Sequence, residues 1–303
     1  MGRGPRVVFL RSTLPYTTAG YYLKALRRLE VDLVDVPFDP REPQDELRVP
    51  EGDLILLVDC SLPVEFPALD ACKSPKGYIS IDSCHKLEIH KRYCERYGFD
   101  FIWVAQKHVV AELGPRARWL PLAADPEVHV FSPRMPSGDG IWARLTARGH
   151  YDIGMCGAPY KHRRRFEKLF KEAGLTTNFH YRKKFAEEAT AQTARCTIGF
   201  NAGAGFTGEK GMDINMRVFE TMAGGRAMLL TNVYPGLGYE ELFTDGVHYV
   251  TYGSEEEAVD KARYYSKHRD RAAAIAREGQ RHILAGHTYL HRCEKLLHDF
   301  EEG

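Results

Sequence analysis

No apolar run in the 303 residues approaches the roughly 20 needed to cross a bilayer. Val7-Val8-Phe9-Leu10, behind the basic start Met1 to Arg6, is too short for the apolar region of a secretory signal. The expectation is a soluble, cytoplasmic chain. Excess charge is nearly absent: 42 Lys and Arg face 41 Asp and Glu, a net of +1, which speaks against nucleic acid or an anionic membrane as the main partner. The seven cysteines are odd in number and scattered, so a disulfide framework is not expected. The G-x-G-x-x-G turn of dinucleotide-binding folds is missing after the first apolar run, where Arg11-Ser12-Thr13-Leu14-Pro15-Tyr16 stands instead. There is no Asp-x-Asp pair of the kind that holds Mg²⁺ or Mn²⁺, and no internal repeat at solenoid periods.

The apolar fraction of 44% is that of a folded chain, and the length suits two domains. Short runs rich in Val, Ile and Leu, at 6–10, 32–36, 54–59, 77–82, 101–105 and 118–122, lack polar alternation, as strands buried on both faces of a parallel sheet do. Helical patterns fall between them at 21–29, 85–97 and 106–113, the last two followed by Gly98 and Gly114 at the expected stops. The stretch 126–150, with Pro133, Pro136, Ser137, Gly138 and Gly140, breaks the pattern and reads as a linker. A second alternation follows: strands near 151–157, 178–181, 197–201, 227–231 and 248–251, with helices between and after them. The predicted architecture is α/β, with two Rossmann-like doubly wound domains facing a central cleft. The domains are 1–132 and 151–286, joined by a linker at 133–150. A final helix is expected at 287–303; it looks like the C-terminal element that crosses back to brace the first domain in folds of this kind, which gives His287 a structural role.

Three places concentrate chemistry. The run Gly211 to Ala227 reads as a loop, a helix start, a short helix and a tight turn into a buried strand. A helix start offers free N–H groups to a diphosphate, and the Glu220 carboxylate can accept two hydrogen bonds from a ribose diol. The plainer reading makes Asp213 an N-cap and Glu220 a solvated residue. Against it stand Val218, Phe219 and Met222 beside Glu220, and four glycines in the preceding loop, Gly203, Gly205, Gly208 and Gly211. The second place is Tyr160-Lys161-His162-Arg163-Arg164-Arg165 after the strand ending at Gly157, where cations at a helix start imply an anion nearby or a solvated basic surface. His180, Tyr181 and Arg182 follow the next strand, where they can stack on or bond to a base. The third is Asp82-Ser83-Cys84-His85, at the end of a strand, where Asp82 or His85 can act as a general base or Asp82 can simply cap the next helix. Asp59 is a second candidate base, and the loop 12–20 can line the cleft opposite. Cys84, His85, His90 and Cys94 lie close enough to suggest zinc, but their spacing fits no standard finger, so no metal is expected.

The run Asp213-x-Asn215-x-Arg217-x-Phe219-Glu220, Ala223-x-Gly225 and Leu229-Leu230-Thr231 resembles the donor-binding half of the CgeB-like glycosyltransferases, within the group-1 glycosyltransferases of GT-B fold. The likeness continues through Phe243-x-x-Gly246, Tyr252, Glu256-Glu257, Arg269 and His287-Thr288-Tyr289-x-His291-Arg292. The resemblance implies a metal-independent hexosyltransferase that uses a nucleoside-diphosphate sugar, UDP-linked, and a hydroxyl acceptor. It implies that Glu220 holds the donor ribose, matching the second glutamate of a Glu-x7-Glu pair. The first glutamate is replaced by Met212, and Asp213 is the nearest acid that can act on the sugar hydroxyls, which leaves retention or inversion open. Arg217 faces phosphate or pairs with Glu220; Lys161, Arg163, Tyr181 and Asn215 complete the donor side. Two rival readings stand beside this one: a nucleotide-sugar epimerase or hydrolase of the same fold, and a non-catalytic assembly protein of a cell envelope or spore layer.

Overall fold

Parallel pairing organises two separate sheets in a computed structural model that describes residues 4–15, 17–131, 150–181, 186–203 and 213–303. Contacts divide the chain into two compact units, Met1–Leu122 with Tyr289–Gly303, and Ala123–Thr288.

The sheet of the first unit contains β1 (Arg6–Ser12), β2 (Asp32–Phe38), β3 (Leu54–Val58), β4 (Lys76–Ser80), β5 (Phe101–Val104) and β6 (Ala117–Trp119), in the order β2-β1-β3-β4-β5-β6. All pairs are parallel. The sequence dictates which strand lies inside: β3 is Leu-Ile-Leu-Leu-Val and wholly buried, whereas the edge strand β2 is half-buried along most of its length. Aromatic rings fill one side, with Tyr78 stacked on Phe99 at 4.9 Å and Phe66 edge-on to Phe38 at 4.8 Å. Helix Leu87–Tyr97 ends at Gly98, whose φ of 57° is the left-handed conformation that glycine adopts without steric cost. The helix expected over 106–113 is instead two 3-10 turns, Lys107–Val109 and Ala111–Leu113. Eight residues make only about two α-turns, short enough for the tighter 3-10 form to take over.

Helix Tyr289–Glu302 closes this unit. Trp103 Nε1 donates to Asp299 Oδ2 at 3.0 Å, and Arg292 donates to the main-chain oxygens of Pro121 at 2.6 Å and Leu122 at 3.0 Å. Tyr289 stacks on Tyr21 at 5.1 Å.

The second unit holds β7 (Tyr151–Cys156), β8 (Thr177–His180), β9 (Cys196–Asn201), β10 (Met228–Asn232) and β11 (Val250–Tyr252), all parallel, in the order β11-β10-β9-β7-β8. Its winding reverses between β7 and β9, and in open α/β sheets ligands bind beyond the strand ends at such a reversal. Phe166, Phe170, Phe200 and Tyr252 pack at ring separations of 4.9 to 5.6 Å on one face, except Phe166 to Phe170 at 6.0 Å. The boundary read from sequence fell after residue 132, but the contacts place it after Leu122. The reason is local: Asp125 caps a one-turn helix, Pro126–His129, that packs on helices Ala186–Thr193 and Met216–Gly224. The greater part of the expected linker, 132–149, lies outside the described residues.

Candidate functional site

The reversal point of the second sheet gathers two guanidinium groups. Helix Met216–Gly224 starts where Asn215 accepts the N–H of Arg217 on its side-chain oxygen at 3.1 Å, so Asn215 is the cap and Asp213 lies before it. Arg217 then reaches back across the sheet. Its Nε donates to the main-chain oxygen of Cys156 at 2.7 Å and its Nη1 to Asn201 Oδ1 at 3.2 Å. Asn201 is fully buried at the end of β9 and is itself held: Asn215 Nδ2 donates to its Oδ1 at 3.3 Å, and its Nδ2 donates to Thr231 Oγ1 at 3.0 Å.

Arg163 comes from the other side, out of the first turn of helix Lys161–Glu172. It is 6% exposed, donates to the main-chain oxygens of Ala158 at 3.2 Å and Ala202 at 3.4 Å, and lies over the Tyr160 ring at 4.7 Å. Its buried Nε has no hydrogen-bond partner among the described residues. Burial, then the nearby Arg217 charge, lowers its pKa to about 10, so it stays protonated at neutral pH. Gly157 separates the two cations: a β-carbon there would stand 2.5 Å from Arg217 Nη2 and 3.0 Å from Arg163 Nη1. Among the described residues, neither guanidinium has a carboxylate within 4.0 Å, although the half-buried Asp213 carboxylate acts on Arg163 from farther away.

Beside this pair opens a shallow cleft, partly open to solvent, lined by Arg217, Glu220, Cys156, Thr190, Thr193 and Arg226 among others. Glu220 is a quarter exposed and does not pair with Arg217. Its neighbour is the His129 ring, fully buried, with Nε2 3.5 Å from Glu220 Oε1. Burial works against the ionised carboxyl, but His129 and then Arg217 outweigh it, and the Glu220 pKa lies below its ordinary value. Neither periodicity nor a motif pointed to His129; the one available signal was Asp125-Pro126, the cap and first position of a helix.

The structure spreads the other expected donor residues more widely. Lys161 is exposed at the start of its helix. Tyr181 turns away from the cleft: its hydroxyl donates to Glu167 Oε2 at 2.7 Å, and Arg164 lies over its ring at 5.1 Å. His180 Nε2 is 2.9 Å from Asn178 Oδ1. Arg182, Met212 and the loop glycines Gly205, Gly208 and Gly211 lie outside the described residues.

In the first unit, Asp82 follows β4 and accepts the Ser61 hydroxyl, while His85 is exposed one turn on. Asp59, 7% exposed after β3, accepts the N–H groups of Ser61 at 2.8 Å and Asp82 at 3.3 Å. His90 Nε2 approaches Asp59 to 3.8 Å, and its Nδ1 lies 2.7 Å from the Tyr78 hydroxyl and 2.9 Å from Ser80 Oγ. Burial pushes the Asp59 carboxyl up and the His90 imidazole down, favouring their neutral forms. His90 is thus part of the buried interior and Cys94 packs against the same core, which removes both from the zinc arrangement considered from sequence.

Known structures share this architecture over nearly the whole chain. An Anabaena protein, Alr3699/HepE, crystallised with UDP-glucose, superposes with a TM-score of 0.65 at 12% identity, covering 99% of this chain and 100% of that one. Sucrose-phosphate synthase from Thermosynechococcus elongatus gives 0.63 at 10% identity, over 98% of each chain. An Escherichia coli structure, trehalose-6-phosphate bound with UDP-2-fluoro glucose, gives 0.61 at 11% identity, over 98% of this chain and 99% of that one. At these identities the likeness establishes the fold, which is that of the GT-B glycosyltransferases. No curated protein matches the chain in sequence. A family model described as glycosyl transferase-like matches residues 142–298, more than half of the sequence and nearly all of the second unit. The chain belongs to the glycosyl transferase-like family.

Proposed function

We propose that the protein transfers a hexose from a UDP-linked sugar to a hydroxyl acceptor without a divalent metal, as a CgeB-like member of its family acting in the cytoplasm. One observation carries the reading: Arg163 and Arg217 converge on Gly157 at the sheet reversal, with no carboxylate of the described residues at ion-pair distance, next to the cleft that holds Glu220. Two buried or half-buried cations with open valence suit a diphosphate. As the glycosidic bond breaks, negative charge grows on the leaving diphosphate, and fixed guanidiniums stabilise it where a metal would otherwise serve. Glu220 accepts the ribose hydroxyls, and Asp213, whose charge acts on Arg163, is the acid assigned to the sugar hydroxyls. On the acceptor side, Asp82 and the exposed His85 are the candidate bases; the buried Asp59, whose neutral form is favoured, suits that role less. UDP and UDP-sugar complexes among the structural relatives support the choice of donor.

The test is a thermal-shift screen with UDP, GDP, dTDP and their sugars, followed by assays of UDP release with hydroxyl-bearing acceptors. Stabilisation by UDP-hexoses and acceptor-dependent release of UDP are expected. No shift with any nucleotide sugar would end the enzymatic reading, and UDP-sugar turnover independent of acceptor would favour an epimerase or hydrolase.

A further inference from the structure

Behind Glu220, which lines the cleft, lies a buried histidine that the donor reading does not use. His129 lies outside the 142–298 segment that matches the family model, yet it is fully buried against Glu220. The geometry also fixes its tautomer. The main-chain N–H of Asp125 donates to His129 Nδ1 at 2.9 Å, so Nδ1 is the acceptor and the ring proton of the neutral imidazole sits on Nε2. That Nε2 is the atom facing Glu220 Oε1 at 3.5 Å. The ring is held by its own turn: Asp125 Oδ1 accepts the N–H of Glu127 at 3.0 Å, and the His129 N–H donates to the Asp125 main-chain oxygen at 2.8 Å. Pro126 fixes the first position of that turn.

We infer that His129 is a positioning residue that orients the Glu220 carboxylate toward a ribose diol, an inference that rests on the donor site proposed above. Nε2 approaches Glu220 Oε1 to 3.5 Å, an ion-pair distance rather than a hydrogen bond, while Glu220 lines the cleft. A carboxylate that swings freely pays rotamer entropy on binding, whereas one tethered from behind does not. The expected consequence is selectivity for ribose over 2′-deoxyribose, because only the ribose presents both hydroxyls.

Two substitutions separate this role from simple packing. His129→Gln keeps a side-chain N–H at the depth of Nε2 but presents a different group to Asp125. His129→Asn keeps an acceptor near Nδ1 but does not reach Glu220. Affinities for UDP and 2′-deoxy-UDP are measured by calorimetry for wild type, both variants and Glu220→Ala. His129→Gln should stay within a few-fold of wild type, while His129→Asn should lose about tenfold for UDP, the scale of one charge-assisted hydrogen bond, and lose its preference over 2′-deoxy-UDP. The reverse order, equal losses or no loss overturns the inference. If Glu220→Ala weakens UDP while His129→Asn does not, the donor site stands and the His129 role falls; if Glu220→Ala changes nothing, the donor site falls as well. Should His129→Asn fail to fold, ¹⁵N resonances of the wild-type imidazole decide: a protonated Nε2 that shifts on addition of UDP supports the role, and a protonated Nδ1 or an unmoved Nε2 contradicts it.

Discussion

Arg217 Nε donates to the main-chain oxygen of Cys156 at 2.7 Å, so a single side chain ties helix Met216–Gly224 to the end of β7. The bond leaves Nη2 directed at Gly157 and toward Arg163. Arg217→Ala removes that tie and one of the two cations. UDP affinity should fall by about tenfold or more, and Arg217→Lys should not restore it, because a single ammonium nitrogen cannot span the positions that the guanidinium fork reaches at Cys156, Asn201 and Gly157. Calorimetric titration of both variants checks this.

Gly157 is where bulk meets the two guanidiniums. A methyl there would sit 2.5 Å from Arg217 Nη2 and 3.0 Å from Arg163 Nη1, both at the ends of flexible side chains. Gly157→Ala should therefore fold, with a melting temperature within a few degrees of wild type, while its affinity for UDP drops by about tenfold as both cations are displaced. A thermal melt and a titration on the same preparation separate the two effects.

Arg292 is a structural cation. It is 7% exposed and donates to Pro121 and Leu122 oxygens, and burial lowers its pKa to about 10. Arg292→Ala leaves those buried carbonyls unsatisfied and a hole where the side chain was. Urea unfolding should show a loss of about 3 kcal/mol, with no change in nucleotide affinity once the protein is folded.

Asp299 gives the first unit an acid limit. Burial raises its pKa, but the Lys295, Trp103 and Arg118 contacts outweigh that, and the net shift is downward. A carboxyl depressed in the folded state contributes stability that is complete above its unfolded value of about 3.9 and is lost as pH falls through the folded value. The stability of wild type should therefore drop below about pH 4, and Asp299→Asn should be less stable at pH 7 and show a shallower decline. Denaturant midpoints between pH 7 and pH 3 provide the comparison.

Much of the architecture was legible because strands buried on both faces announce themselves as unbroken apolar runs. β3 and β9 are wholly buried, and both stand out in the sequence without any long-range information. Gly98 and Gly225 adopt the left-handed conformation that ends their helices, at φ 57° and 65°. What sequence left open has a common cause. Asn215 rather than Asp213 caps the helix, since either residue type can and only the backbone path decides. Of the two roles open to Arg217, pairing with Glu220 is not taken up; its partners are Cys156 and Asn201, far away in sequence and brought near by sheet order alone. His129 was hidden in a proline-bearing stretch that read as a linker, because one turn of helix is too short to show periodicity.

The most direct test of the account is a crystal structure of the protein with UDP bound. The account predicts the diphosphate within hydrogen-bonding reach of Arg163 and Arg217 beside Gly157, with the ribose hydroxyls on the Glu220 carboxylate. Nucleotide bound elsewhere on the molecule, or a ribose turned away from Glu220, would contradict it.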